Sequence, residues 1–87
     1  MLVIVSASRL ANDRVEIRVA RPQHDLNPAQ EYASATEARA VLLGLGIGQE
    51  AVESHLKLLA QMGINEQLKF PPMDVPQHEL LSHGFHL

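Results

Sequence analysis

The chain has no cysteine and no tryptophan, and only three aromatic residues, Tyr32, Phe70 and Phe85, among its 87. Without cysteine there can be no disulfide framework, thiolate metal site or catalytic thiol, which is compatible with a reducing cytoplasm. Because aromatic side chains bury the most area per residue, their scarcity means that any core is a sum of many small Ala, Val, Ile and Leu contributions. Such a core is marginal in so short a chain, and self-association is one remedy. There is no basic run. With a formal charge of -3 and acids and bases interspersed, nothing could neutralise a series of phosphates, and nucleic acid is disfavoured as a partner. Long apolar runs are missing too. The opening Met1–Val5 is apolar for five residues with no basic segment before it, too short to span a bilayer and a poor secretion signal, so the reading is of a first strand and a protein without a membrane.

What is present points to one small domain, 1–87, of α+β class. "LVIVSASRL" is rich in β-branched residues, and "RVEIRVAR" alternates, with Val15, Ile17 and Val19 on one face and Glu16, Arg18 and Ala20 on the other. With the intervening "AND" as a turn, these predict an antiparallel hairpin with one face on a core. The first strand is apolar on both faces, which places it inside the sheet or against a partner. Pro22–Tyr32, with two prolines, reads as a loop. Ser34 three residues before Glu37 is a capping box, and Ala38, Val41, Leu42 and Leu45 continue as one helical face. A second amphipathic helix runs from about Gly48 to Gln61 or Met62, with Gly63 as its stop. Its apolar arc holds Ala51, Val52, Leu56, Leu58, Leu59 and Met62, with His55 inside it. A short third strand follows at about Gln67–Phe70, then an irregular C-terminal strap in which Pro71, Pro72 and Pro76 forbid a continuous helix, and one short turn closed by Gly84. The expected architecture is therefore an N-terminal antiparallel β-hairpin, a two-helix αα-hairpin packed on a small sheet, a short third strand and the strap.

The stretch "LLGLGIGQEAVESHL", Leu42–Leu56, admits three readings. A phosphate loop needs a strand before it, whereas Gly44, Gly46 and Gly48 follow a helix and lead into Gln49 and Glu50. A helix stop, a tight turn and a helix start explain the glycines more simply. The third reading is a helix-turn-helix. Val52, His55, Leu56, Gly63 and Ile64 within Leu45–Ile64 make this segment resemble the second half of the DNA-binding domain of LuxR-type response regulators. That resemblance covers about a quarter of the chain and implies DNA binding through the Gly44–Gly63 helix pair. The departures are chemical. Gln49, Glu50 and Glu53 stand where basic or amide groups would meet DNA, and carboxylates repel phosphate. Leu42 occupies a place where a small residue would let the helices approach, and the hairpin is foreign to that family.

Of the five histidines (His24, His55, His78, His83 and His86), His83 and His86 lie close together in "HGFH". Zinc needs three or four convergent ligands, and a tail with Gly84 between two of them fixes no geometry, so the histidines read as exposed surface groups. His55 reads instead as a structural ring packed among leucines, with a nitrogen on a backbone carbonyl. Ser54 and Ser82 precede His55 and His83 directly, and neighbours about 100° apart on a helix do not touch at their tips. Glu50 and Glu53 lie on a solvated face that would not tune a carboxylate for acid–base work. "FPPMDVP", Phe70–Pro76, could be a ligand for a proline-recognising domain, but reads more simply as a stiff strap laid over the core by Phe70, Met73 and Val75. No catalytic, cofactor-binding or metal-binding residue is assigned and no cofactor is expected. The expectation is a small non-enzymatic, cytoplasmic protein-interaction module, with a homodimer and an unidentified protein as partners. The alternative is the helix-turn-helix.

Overall fold

A computed structural model describes residues 1–22 and 27–87. β1 (Leu2–Arg9) and β2 (Val15–Ala20) form the expected hairpin, in register from Ile4↔Ala20 to Arg9↔Val15. Its turn, Ala11–Asp13, puts Asn12 and Asp13 at φ 61° and 60°. Tight hairpins favour this left-handed geometry because it matches strand twist, and Asn and Asp tolerate it best after glycine. β3 (Ala29–Tyr32) then pairs with β2, Val15 opposite Tyr32. Part of the expected loop over Pro22–Tyr32 is therefore a strand. Its short "AQEY" carries no β-branched residue, and tertiary pairing overrides weak local preference. Residues 23–26 of that loop, His24 included, lie outside the described residues.

Two helices follow. Ser34 caps α1 (Ala35–Gly44), its Oγ accepting from the Glu37 amide at 3.3 Å, while Glu37 Oε2 reaches back to the Ala33 amide at 3.0 Å. The capping box is present, one residue displaced on its return bond. At the other end, Gly46 takes φ 98°. Its amide donates to the Leu43 carbonyl and that of Ile47 to Leu42. This paired closure, with Ile47 and Leu42 both buried, is a Schellman ending. The glycine-rich stretch is thus a helix stop followed by Gly48, which opens α2 (Gln49–Ala60) as its N-cap. α2 does not stop on a left-handed Gly63 as expected. Asn65 holds the positive φ of 69° instead, and Arg9 at the end of β1 donates from Nη1 to the Ala60 and Met62 carbonyls at 3.2 and 3.1 Å. A cation there complements the helix dipole.

β4 (Gln67–Lys69) and β5 (Met73–Asp74) share the second edge of β1, β4 beside Ser6–Ser8 and β5 beside Leu2–Val3. Pro71 and Pro72 fall in the gap between them, where a strand must break because neither can donate to the ladder. The strap is therefore less irregular than expected. It contributes a strand and then α3 (Gln77–Ser82), which ends as α1 does: Gly84 has φ 85°, its amide meets Leu81 and that of Phe85 meets Leu80. The result is an open five-stranded antiparallel sheet in the order β3-β2-β1-β4, with β5 also on β1. β1 is central, so it lies inside the sheet; its inner face (Val3, Val5, Ala7) is buried, whereas Leu2 on the outer face is 51% exposed.

Val3, Val5, Ala7, Val15, Ile17 and Val19 point to one side and are buried under Ala38, Leu42, Leu45, Ile47, Val52 and Leu59 of the helical pair. Phe70, Val75, Leu80 and Phe85 seal the same core. Leu58, expected in the apolar arc of α2, is 51% exposed. Six residues from Val52, it stands about 120° round the helix from the buried centre, past the edge of the contact.

Candidate interaction groove

An apolar groove opens where the N-terminal turn of α1, the C-terminal half of α2 and the β1–β2 turn converge. It encloses about 200 Å³. Val15 and Leu59, both buried, form its floor; Ala35, Leu56 and Ala60 form its walls; Arg9, Asp13 and Ser34 stand at its rim. It exists because the helices present alanines there. Ala35 and Ala60 are too small to close the space that Leu56 and Leu59 leave between the helix ends. Beyond Ala35, Leu56 and Ala60 the groove continues as a shallower trough edged by Thr36, Arg39, Glu53 and Lys57. There the Arg39 guanidinium and the Glu53 carboxylate pair across the two helices. Glu53 is therefore engaged with α1.

The rim is electrically uneven. Arg9 is anchored by the two α2 carbonyls through Nη1, and its Nη2 lies 3.6 Å from an Asp13 carboxylate that is 88% exposed. That pair is long and solvated, and worth little on its own. Ser34 uses its oxygen as the α1 cap, leaving its hydroxyl proton free to donate. Neither the groove nor Arg9 stood out in the sequence. The only signal was a pair of small residues at matching helix ends, indistinguishable from ordinary helix-forming alanines.

His55 stacks on Phe70, ring centroids 4.1 Å apart and planes 13° from parallel, and its Nδ1 meets the Ala51 carbonyl at 2.8 Å. This is the contact pattern its position in the apolar arc implies. His78 and His86 are exposed. His83 is not the surface residue expected: it is partly buried, its ring fills the space that a Cβ on Gly44 would take, and the Glu79 carboxylate is 4.0 Å away, at the limit of an ion pair. Among the described residues no three His, Asp or Glu side chains converge as a metal site would need. Ser54 and Glu50 face solvent. Tyr32, half-buried at the end of β3, has its phenol pushed above the ordinary value of 10.0 by burial.

The outer face of the sheet is polar. Arg18 pairs with Glu16 at 3.0 Å, Arg14 with Glu31 at 2.6 Å, and Gln67 donates to Ser6 Oγ at 2.9 Å. At one end the face turns apolar, where Leu2, 51% exposed, adjoins Ile4 and its partner Ala20. None of the described helices is long and apolar enough to cross a membrane. Comparison with family models, curated proteins and solved structures finds no match.

Proposed function

We propose that this chain is a small, non-enzymatic protein-interaction module of the cytoplasm that receives an apolar side chain of a protein partner in the α1–α2 groove and self-associates as a homodimer. The observation that carries the reading is the groove itself: a concave apolar surface, floored by Val15 and Leu59, with a charged group held at its rim by two helix carbonyls. Such concavities are where anchor side chains of partners seat. The absence of cysteine accords with a reducing compartment. Self-association rests on Leu2 and Ile4, an apolar end on a polar sheet face that a two-fold copy would cover.

The helix-turn-helix reading draws less support. Val52, one of its matching residues, is spent in the core beneath the sheet, and His55 is spent on Phe70. Glu53 is paired with Arg39 of α1, and the solvent face of α2 offers Glu50 beside a single cation, Lys57.

Peptides selected from a random library against the purified chain should shift the NMR amide signals of Ala35, Leu56 and Ala60, and Ala60→Glu should abolish that binding while leaving the rest of the spectrum in place. Selection of no groove-binding peptide would refute the docking reading. Sedimentation at micromolar concentration should give about twice the chain mass for the wild type, and Ile4→Lys should return it to the mass of one chain. A wild type that remains a single chain removes the dimer.

A further inference from the structure

The size and rim of the groove narrow what it can hold. At about 200 Å³ it is smaller than pockets for drug-sized ligands and suits one branched aliphatic side chain. At its mouth Arg9 presents a guanidinium already fixed in place by the Ala60 and Met62 carbonyls, so a ligand using it would lose little further side-chain freedom. Its Nη2 is only loosely engaged by Asp13, and the Ser34 hydroxyl still has a proton to give. An apolar socket with two donors at its lip fits an aliphatic group that carries a negative charge a few atoms away.

We infer that the groove reads the C-terminal end of a partner polypeptide, its last side chain (Leu, Ile or Val) on Val15, Leu56 and Leu59 and its terminal carboxylate on Arg9 Nη2 and the Ser34 hydroxyl. The inference rests on the docking reading above and specifies its partner. A polypeptide terminus is the one place in a protein where a branched aliphatic group and a carboxylate share a single carbon, and capture of that carboxylate is an established mode of peptide recognition. Arg9 supplies charge-assisted hydrogen bonds, and these are the stronger kind. The opposing group is Asp13, whose carboxylate competes for Nη2 and must swing away. Being almost wholly solvated, it does so at small cost.

The test uses an N-acetylated tetrapeptide, Ser-Gly-Ser-Leu, with its C-terminus free or amidated, titrated into the intact chain and followed by the Ala35, Leu56 and Ala60 amides. The free acid should bind at least about ten-fold more tightly than the amide, the factor expected of one charge-assisted hydrogen bond. Asp13→Asn, which leaves Arg9 and its helix contacts in place, should tighten the free acid several-fold and leave the amide unchanged. Arg9→Gln should erase the difference between the two peptides. Equal binding of acid and amide would overturn the inference while leaving the groove a docking site for internal segments. So would binding of 4-methylpentanoate as tight as that of the peptide, which would make the ligand a small carboxylate. If neither peptide binds but library peptides still shift the groove amides, terminus recognition is refuted and docking stands. If library peptides fail too, both fall together.

Discussion

At the scale of single residues the structure makes unusual demands at two positions, Gly44 and Tyr32. A Cβ placed on Gly44 would lie 2.6 Å from His83 Nε2, so this glycine leaves room for the His83 ring at the end of α3. Alanine near a helix end normally gains about 0.5–1 kcal/mol over glycine. Here Gly44→Ala should gain less than that in the wild type, where the His83 ring must move, and recover the full gain in a His83→Ala background, a difference that denaturation of the four variants would show directly. Tyr32 makes the other demand. Its pKa is raised in the folded state by desolvation, so the folded chain holds that proton more tightly than the unfolded one. The associated stability is present below pH 10 and is lost as pH rises through the folded value. Unfolding midpoints measured across the alkaline range should fall for the wild type, and less steeply for Tyr32→Phe. As Tyr32 is the only tyrosine, its phenolate absorbance reports the titration without interference.

At the scale of elements, the parts legible in the sequence were those whose signal is local. Alternation from Val15 to Val19 fixed a face, Ser34 and Glu37 marked a helix start, and the glycines after Leu43 marked a stop, because each pattern satisfies backbone groups within a few residues. β3 and β5 were hidden. Neither "AQEY" nor "MD" prefers extended structure, and each is a strand only because β2 or β1 lies beside it. The groove was hidden for a similar reason, since it is a space between elements and no residue type announces it. The end of α2 was legible to within a residue or two, but not what closes it: Arg9, some fifty residues away in sequence, bonds the last carbonyls where Gly63 was expected to act. The caps also set the element-scale predictions. Ser34→Ala should cost about 1 kcal/mol. Gly46→Ala should cost somewhat more, since a Cβ at φ 98° is strained although the space around it is empty. Gly84→Ala should be the worst of the three, because the strain at φ 85° is joined by a clash with the Gln30 side chain that bonds the Gly84 carbonyl. Chemical denaturation of the three variants in one buffer would rank them.

Across the whole molecule, closure of the core depends on the C-terminal strap. Phe70 and Phe85, two of the three aromatics, are buried, and Phe85 is fixed by the Schellman ending of α3. Phe85→Ala should cost about 3–5 kcal/mol, a large part of the stability of so small a domain, and thermal unfolding would register it as a fall of many degrees. The position of β1 has a kinetic consequence as well. One neighbour, β2, is reached through a three-residue turn; the other edge is filled by β4 and β5, from some sixty residues along the chain. Closing so large a loop is slow and entropically expensive compared with a hairpin. During refolding, the hairpin amides should become protected from hydrogen exchange well before those of Leu68 and Phe70, which bond to β1 from the far side. Until then, Val3 and Val5 belong to an unfinished edge, and the interval before the strap arrives is when this chain is most prone to aggregate.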